Sequence, residues 1–407
     1  MKVWIIDHYA VPPKYCPLAR QTVFARKLEE RGHDAIIFCA STVHNSDINL
    51  DNGASLYREE VVDGVKYVYI TCRQYRGNGI ARILNMLEFA RKLPRVVKHY
   101  DKPDAVLSCS MTLQACEQGV RLAKKYGARA VAQITDMWPE TLVAYKIAGR
   151  NNPAVMYLRK KEKWIYTHAD AVIFSMEGAY DYIEEQKWER AVPKSKVFYI
   201  NNGVDLEAFD YNRGHWTIED EDLHNRELLK VVYVGSIRKA NNLGSLLDIA
   251  KTINDSRIKF LIWGDGDEKE ELDERIKSEH ITNVAFKGRV DKKYIPFITS
   301  HADVNLMNGL ENPIFRFGIS PNKLFDYFAA GKPILCNFSS KYNPVITEKA
   351  GLEYDPNKPG DFAEKLSEIL TTESDAIGNN GRRAVEKKYN FNAMTDTLEK
   401  ILRKTTE

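Results

Sequence analysis

The sequence predicts an α/β protein of two Rossmann-like domains, each a doubly wound parallel sheet, that face one another across a cleft. Apolar strand-like runs alternate with helical runs along nearly the whole chain, which is typical of parallel sheets covered by helices on both faces. The alternation starts afresh near residue 228, and 407 residues suit two domains.

In the first half, short apolar runs have the length of buried strands. Residues 59–70 contain Asp63-Gly64, a pair favoured in two-residue turns, and are predicted to form a hairpin. The other predicted strands span residues 2–7, 34–41, 103–110, 128–135 and 169–175.

The helices of this half show apolar residues three and four positions apart. Gly32 and Gly127 follow two of them, as glycine commonly does at a helix end. The predicted helices span residues 18–31, 80–98, 112–125 and 153–167.

The second half repeats the pattern, and its sequence ends in an amphipathic helix at 392–404. Its predicted strands are 228–236, 258–266, 283–290, 302–308 and 332–337, and its predicted helices are 243–254, 268–278, 292–299 and 322–330.

This pattern divides the chain into three segments. We expect an N-terminal domain at 1–200, a C-terminal domain at 201–385 and a final segment at 386–407 that contains the amphipathic helix. The Gly- and Asn-containing stretch 201–214 is predicted to be the hinge.

Composition narrows the possible partners. Residues 1–200 carry a net charge of +8 and the rest −5, which together give the small overall charge of +3. The basic half favours an anionic membrane surface or acceptor, and no nucleic acid is expected. No apolar run is long enough to span a bilayer and no secretory signal is recognised, so the protein is expected to be cytoplasmic. The six cysteines form no metal-ligand pattern and are expected to be buried, reduced thiols.

Residues 318–333, GISPNKLFDYFAAGKP, contain the strongest local motif. Pro321 and Asn322 lie where a helix begins, and free N–H groups there can hold phosphate. Lys323 adds a cation that the helix dipole disfavours unless an anion binds. Asp326, one turn later, could bond both ribose hydroxyls, although an amphipathic helix with an ordinary cap would also explain the pattern.

A second basic element, GSIRKANNL at 235–243, follows a predicted strand. Gly235 and Ser236 end that strand, and Arg238 and Lys239 lie where the next helix is expected to begin. Such cations suit the phosphate of a leaving nucleotide, although a solvated loop is the alternative.

These elements, with TDMWPE (135–140), NNGVDLEAF (201–209) and LIWGDGDEKEEL (261–272), resemble glycosyltransferase family 4 of the GT-B fold over nearly the whole chain. The DMWPE and SPNKLFDY versions are similar to the branch that builds bacterial surface polysaccharides on lipid carriers. The resemblance implies retaining transfer of a sugar from a nucleotide diphosphate, most simply UDP, to a polyprenyl-diphosphate-linked or glycan acceptor. It also implies that the domain at 1–200 is the acceptor side, that the domain at 201–385 binds the nucleotide sugar, and that the helix at 386–407 crosses back to the first domain.

The resemblance also implies residue roles. Arg238 and Lys239 match the pair that grips the donor diphosphate, and Asp326 takes the place of the second glutamate of the E-x7-E motif. The family's base-reading stretch corresponds to Arg289 and Val290, and its glycine loop beside the nucleotide corresponds to Gly264. Its phosphate-binding loop corresponds to Ser320, Pro321, Asn322, Lys323 and Leu324.

Three positions depart from the family pattern. Gly318 stands where the first glutamate of that motif would be, and Asp326 is one methylene shorter than the second. Tyr15-Cys16-Pro17-Leu18 replaces the glycine-rich N-terminal loop, so a contact from that loop to donor or acceptor is in doubt.

Asp136 follows an apolar strand and is the candidate acceptor-positioning or catalytic carboxylate, although it could instead cap a helix. His8 and Tyr9 are candidate acceptor-side residues. No cofactor or metal is expected, since basic residues would stabilise the leaving diphosphate.

The predicted helix at 80–98 combines aliphatic residues with Arg82, Arg91, Lys92, Arg95 and Lys98. This composition suits a helix lying on anionic lipid, at the inner face of the cell membrane, although a core helix with a solvated face is the alternative.

The sequence fits three other functions less well than glycosyl transfer. A dehydrogenase is disfavoured because GDGDEKEE lacks the third glycine of the dinucleotide fingerprint. A GT-B nucleotide-sugar epimerase would need paired carboxylates and a histidine, for which only Asp136 and His8 offer themselves. A catalytically weak scaffold of a polysaccharide assembly complex stays possible because Gly318 is not a carboxylate.

Overall fold

A computed structural model describes residues 1–15, 20–110, 112–358, 360–370 and 374–403. The chain divides into two compact units. Unit 1 comprises Met1–Asn201 and Phe391–Glu407, and unit 2 comprises Asn202–Asn390.

Unit 1 contains an eight-stranded sheet in the order β3-β4-β2-β1-β5-β6-β7-β8. All of its neighbouring strands are parallel except β3, which pairs antiparallel with β4. The strands are β1 Lys2–Ile6, β2 Asp34–Ala40, β3 Tyr57–Val62, β4 Val65–Ile70, β5 Ala105–Cys109, β6 Arg129–Ile134, β7 Ala171–Phe174 and β8 Val197–Tyr199.

The hairpin that joins β3 and β4 confirms the predicted turn. Asp63 and Gly64 both have positive φ, 51° and 78°, as the two central residues of a type I′ turn require. The hairpin lies at the edge of the sheet, whereas β5 is buried along its whole length in the interior.

The helices of unit 1 cover the sheet and include one from the C-terminal end of the chain. They are α1 Arg20–Glu30, α2 Ile80–Val96, α3 Leu113–Tyr126, α4 Glu140–Ala144, α5 Pro153–His168, α6 Ala179–Glu185 and, after the helices of unit 2, α16 Phe391–Arg403.

Helix α16 belongs to the hydrophobic core of unit 1. Met394, Leu398 and Ile401 are buried in the same cluster as Phe24 of α1 and Val3 of β1. The guanidinium of Arg129 donates a 2.6 Å hydrogen bond to the backbone carbonyl of Ile401. The last turn of α16 is therefore bonded to the sheet of unit 1.

Unit 2 contains a six-stranded, all-parallel sheet in the order β11-β10-β9-β12-β13-β14. Its strands are β9 Leu229–Val234, β10 Ile258–Trp263, β11 Val284–Gly288, β12 Val304–Met307, β13 Ile334–Cys336 and β14 Gly351–Glu353. Its helices are α7 Leu206–His215, α8 Glu221–His224, α9 Leu243–Thr252, α10 Lys269–Ser278, α11 Ile295–Ser300, α12 Asn322–Ala330, α13 Pro344–Thr347, α14 Asp361–Ile369 and α15 Ser374–Ala384.

The stretch 201–214, predicted from its Gly and Asn residues to be a hinge, is helical over most of its length. The Asp205 side chain accepts a 3.1 Å hydrogen bond from the Ala208 N–H and caps α7, whose Phe209 is buried. Gly214 lies inside this helix, so only residues 201–205 have the extended form expected of a connection.

Some predictions fall outside the described residues, namely Cys16-Pro17-Leu18 of the N-terminal loop, the predicted helix start at 18 and the helix end at 404. The other five cysteines are buried and unpaired, as predicted: Cys39, Cys72, Cys109, Cys116 and Cys336. Within the described ranges, every helix is too short or too polar to cross a bilayer.

Candidate functional site

A cavity of about 270 Å³ lies at the carboxyl ends of β9, β10 and β11 in unit 2. Ligands of doubly wound sheets bind at such edges. Five of its lining residues were singled out from the sequence: Gly235, Ser236, Gly264, Arg289 and Val290. Val234, Trp263, Asp265 and Ile295 complete the lining.

Glycine is required where the loops after β9 and β10 meet. A Cβ atom on Gly264 would lie 1.8 Å from the Gly235 carbonyl oxygen, and one on Gly266 would lie 2.0 Å from that of Ile237. Both distances are far below van der Waals contact, so any side chain would push the loops apart. Gly264 therefore shapes the cavity through backbone packing.

Arg238 and Lys239 follow β9 on an exposed turn. Neither side chain forms an ion pair or hydrogen bond with any residue that the structure describes. The prediction that they open the next helix is wrong, because a 3-10 turn spans Lys239–Asn241 and α9 begins only at Leu243. Left-handed Asn242, with φ of 49°, separates the two elements.

The loop before α12 is fixed by the start of unit 2. The Asn202 backbone N–H donates to the Ser320 hydroxyl at 3.1 Å, and its side-chain amide donates to the Ser320 carbonyl at 2.6 Å. Pro321 is the cap residue of α12, whose first turn has no side-chain cap. The N–H groups of Asn322 and Lys323 have no acceptor among the described residues, and Leu324 is buried behind them.

Gly318 explains one departure from the family pattern. Its φ of 110° and ψ of 174° lie in a region that only glycine adopts readily. The backbone here is incompatible with the glutamate of the E-x7-E motif unless the loop changes.

Lys323 is half-buried and points to neutral partners. Its Nζ atom lies 3.0 Å from the Tyr233 hydroxyl and 3.2 Å from the Asn241 Oδ1 atom. Loss of hydration lowers its pKa to about 7. No carboxylate in the described chain pairs with it.

Asp326 is half-buried, and its carboxylate accepts no hydrogen bond from the described residues. Burial raises its pKa to about 6, and the positive charge of Lys292 opposes that shift. An unbonded carboxylate one turn into a helix whose first N–H groups are free could accept hydrogen bonds from hydroxyl groups of a ligand.

Sequence reasoning missed three residues that organise this site. Tyr233 and Asn241 contact Lys323, and buried Asn308 donates to the backbone carbonyls of Asn241 and Asn242 at 3.0 and 2.6 Å. Tyr233 lies inside a strand and carries no sequence signal. Asn308 could have been suspected, because it is a polar residue directly after a buried strand.

In unit 1, Asp136 follows β6 and is exposed, although the protein around it raises the pKa of its carboxyl by desolvation. The alternative that it caps a helix is wrong, since α4 begins at Glu140 with Pro139 as its cap residue. Asp136 therefore has no capping role and is available to a ligand.

His8 and Tyr9 follow β1 at the same edge of the unit 1 sheet. The His8 Nε2 atom lies 2.7 Å from Asn85 Oδ1, and burial lowers its pKa to about 3, so His8 is neutral near pH 7. Its Nδ1 atom is buried without a partner in the described chain, as is the Thr135 hydroxyl next to Asp136. Tyr9 accepts a 2.9 Å hydrogen bond from Arg82.

Helix α2 carries an exposed apolar stripe, which we call the α2 stripe. Its members are Ile80, Ile83, Leu84 and Leu87, which are 76%, 50%, 40% and 46% exposed. Arg91, Arg95 and Lys98 continue it and have no ionic partner in the described part of the chain.

Two other predicted cations of α2 form an ion pair or a hydrogen bond. Lys92 pairs with Glu88 at 2.9 Å, and Arg82 bonds to Tyr9. Phe89 and Leu93 are buried, so one face of α2 is core while the stripe faces solvent.

The structure thus gathers the donor-side residues in unit 2 and the acceptor-side residues in unit 1. Among the described residues, no group of three or more His, Cys, Asp or Glu side chains could hold a metal ion. The absence of a metal requirement stays a prediction.

Comparison with known proteins matches two family models. The Glycosyltransferase Family 4 model matches residues 22–208, and the model for glycosyl transferases group 1 matches residues 215–390.

Two relatives and one solved structure illustrate the likeness. A protein named as glycosyltransferase WbjE from Pseudomonas aeruginosa is 23% identical, over 76% of each chain. One named as colanic acid biosynthesis glycosyl transferase WcaI from Escherichia coli (strain K12) is 22% identical, over 80% of this chain and 78% of its own. The structure of Anabaena HepE in complex with UDP superposes with a TM-score of 0.65 at 13% identity, over 99% of both chains.

Proposed function

Because the chain belongs to Glycosyltransferase Family 4 and to the glycosyl transferases group 1, with the GT-B fold, we propose that it transfers a hexosyl or N-acetylhexosaminyl residue from a UDP-sugar to a lipid-linked or glycan acceptor in bacterial surface polysaccharide synthesis. The observation that carries this proposal is a set of cations without an ion-pair partner among the described residues, next to the strand-end cavity of unit 2. Arg238 and Lys239 lie in the loop that follows the cavity-lining residues Gly235 and Ser236, and Lys323 Nζ would lie 3.5 Å from a Cβ atom on Gly235.

The donor assignment has three supports. The unpaired cations and free N–H groups of α12 suit a diphosphate. Asp326 offers a carboxylate to ribose hydroxyls, and the cavity walls of Trp263, Val290 and Ile295 suit a base. HepE, which has a similar fold, was solved with UDP and with UDP-glucose.

The proposed mechanism depends on the negative charge of the leaving diphosphate. As the glycosidic bond to the diphosphate breaks, negative charge grows on the leaving phosphate, and Arg238 and Lys239 stabilise it. The acceptor oxygen attacks the anomeric carbon on the face from which the diphosphate departs, and its proton passes to the leaving phosphate oxygen, so the sugar configuration is retained. In this scheme Asp136 orients the acceptor hydroxyl. No metal is needed in this scheme, because side-chain cations carry the countercharge.

The acceptor assignment rests on relatives and on α2. WcaI is named for colanic acid biosynthesis, and other relatives are named for teichuronic acid and amylovoran biosynthesis. The α2 stripe with Arg91 and Arg95 suits an anionic bilayer, so the enzyme would act at the inner membrane face.

A screen of UDP-, GDP-, ADP- and dTDP-sugars by thermal unfolding tests the donor. A UDP-sugar should raise the Tm through mass action, and the Asp326→Asn variant, which loses the proposed ribose contact, should show a smaller rise. Addition of lipid extract should then release free UDP from the wild type. An unchanged Tm with every nucleotide sugar would refute the proposal, and binding without UDP release would favour a scaffold.

A further inference from the structure

Lys323 takes part in a network that joins three separate segments of unit 2. Its ammonium contacts the Tyr233 hydroxyl at the end of β9 and the Asn241 amide in the following turn, at 3.0 and 3.2 Å. It also lies over the Tyr233 ring, 4.1 Å from the centroid. All these partners are neutral.

Both partners are themselves fixed in orientation. The Tyr233 hydroxyl donates to the Ser236 carbonyl at 2.9 Å, which leaves its lone pairs for Lys323. The Asn241 NH₂ group donates to the Ser236 carbonyl at 2.9 Å and to its hydroxyl at 3.0 Å. The Asn241 oxygen must therefore face Lys323, and the Lys323 ammonium is held in one place.

The network lies directly behind the cavity wall. A Cβ atom on Gly235, which lines the cavity, would lie 2.9 Å from the Tyr233 oxygen and 3.5 Å from Lys323 Nζ. Glycine at this position thus lets the ammonium approach the cavity.

A half-buried ammonium held only by dipoles is a site prepared for an anion. We propose that Tyr233 and Asn241 are positioning residues that aim the Lys323 ammonium at the diphosphate of the bound nucleotide. This inference rests on the proposed function, and it names two residues outside the set that the sequence suggests.

A proton should be taken up when the anion binds. With its pKa lowered to about 7 by desolvation, Lys323 is only partly charged near neutrality, and a bound diphosphate favours the charged form. Of the neighbouring titratable groups, Tyr233 contacts the ammonium directly. Asp326 lies one turn further along α12, Arg238 and Lys239 lie in the loop after β9, and none of them forms an ion pair with Lys323 among the described residues. Diphosphate affinity should therefore fall as the pH rises above about 7.

The first experiment reads Lys323 directly. Trace acetylation with acetic anhydride from about pH 6 to pH 10, followed by peptide mass spectrometry, gives the pKa of each lysine. We expect a pKa of about 7 for Lys323, and we expect inorganic pyrophosphate at pH 7 to protect it. Lys277, an exposed lysine of α10 without a partner in the described chain, should not be protected. Lack of protection by pyrophosphate, or an ordinary pKa, overturns the inference.

Two substitutions test the positioning role. Asn241→Asp places a carboxylate against the ammonium, so the pKa of Lys323 should rise by at least about one unit while pyrophosphate protection falls at least tenfold. Tyr233→Phe should weaken protection by about three- to tenfold. Asn254→Asp adds the same charge at an exposed site before β10, at the opposite edge of the sheet, and should change neither quantity.

The pH dependence of UDP-glucose affinity distinguishes positioning from mere stability. Between about pH 7 and pH 9 the wild-type affinity should fall several-fold, whereas the Asn241→Asp variant should bind weakly with no such slope. Equal slopes in both proteins overturn the positioning role. If pyrophosphate protects Lys323 but no nucleotide sugar binds, the proposed function fails while the anion site stands.

Discussion

Arg238 and Lys239 are exposed cations that form no ion pair or hydrogen bond with the described residues. Their replacement should therefore lower the rate of catalysis. We expect Arg238→Ala and Lys239→Ala each to lower kcat with little change in folding stability. The loss should be about 2–4 kcal/mol of barrier, because charge grows on the leaving diphosphate only in the transition state.

Lys277→Ala supplies the matched control, since it removes an exposed cation of unit 2 away from the cavity. Steady-state kinetics of UDP release would measure all three variants. Turnover equal to wild type in both Arg238→Ala and Lys239→Ala would remove these residues from the site.

Asp326 should act mainly on donor binding. A ribose contact is equally strong in ground and transition states, so Asp326→Asn should raise the donor KM more than it lowers kcat. With a pKa of about 6, the carboxyl becomes protonated as the pH falls, and donor affinity should weaken below about pH 6. In the Asp326→Asn variant, donor affinity should not change with pH below about 6. A fall in kcat at constant KM would contradict the role of Asp326 in donor binding.

Gly318 has a conformational role that a substitution should reveal. Gly318→Ala should cost about 1–3 kcal/mol of unfolding free energy, since φ of 110° with ψ of 174° strains any side chain. Gly214→Ala, inside α7 with no atom within 4 Å of its added Cβ, should instead stabilise by about 0.5–1 kcal/mol. Urea unfolding would measure both, and no loss at Gly318 would show that the loop relaxes freely.

Single site residues were predictable from the sequence where they directly follow a predicted strand. Gly235, Ser236, Gly264, Arg289 and Val290 do line one cavity because they follow neighbouring strands. Tyr233 was beyond reach, because an inward strand tyrosine has the same sequence signature as a core residue. The contact between Tyr233 and Lys323 joins residues 90 positions apart, which no local pattern encodes.

At the element scale, α2 makes the clearest prediction. Ile83→Asp should release the protein from anionic vesicles, since it places a charge in the α2 stripe. Glutamate at Arg91 and Arg95 should weaken binding at low salt by about 1 kcal/mol per residue, because that attraction is electrostatic.

Val61→Asp, at a 67% exposed position of the edge strand β3, is the control and should bind vesicles as the wild type does. Co-sedimentation with vesicles of phosphatidylglycerol would measure each protein. If the wild type does not sediment at low salt, the stripe serves another partner and the acceptor need not be a lipid.

Many elements were predictable from their periodicity, and others were missed. Strands β8 and β14 have three residues each, and α4, α8 and α13 have four or five, too few to show a period. Helices α14 and α15, with nine and eleven residues, were also missed, although their lengths allow a period. Helix α7 was misinterpreted for a physical reason, because its Asn and Gly residues lie on a capped helix whose single buried residue is Phe209.

At the scale of the whole molecule, α16 makes unit 1 depend on both ends of the chain. Leu398→Ala should destabilise unit 1 by about 2–5 kcal/mol, since it empties a buried core position. Lys400→Ala on the exposed face of the same helix should change little. Nucleotide binding should survive in both, because the cavity lies in unit 2; calorimetric unfolding with and without UDP would measure this, and loss of UDP binding in Leu398→Ala would contradict it.

The return of the chain to unit 1 at Phe391 has a consequence for limited proteolysis and truncation. Unit 2 is continuous from Asn202 to Asn390, whereas the core of unit 1 includes Met394, Leu398 and Ile401 from beyond unit 2. Unit 2 can therefore complete its fold from one uninterrupted segment, whereas unit 1 must bring together two segments separated by the whole of unit 2. A fragment truncated after residue 390 should keep the strand-end cavity of unit 2 and expose to proteases the face of α1 that α16 covers.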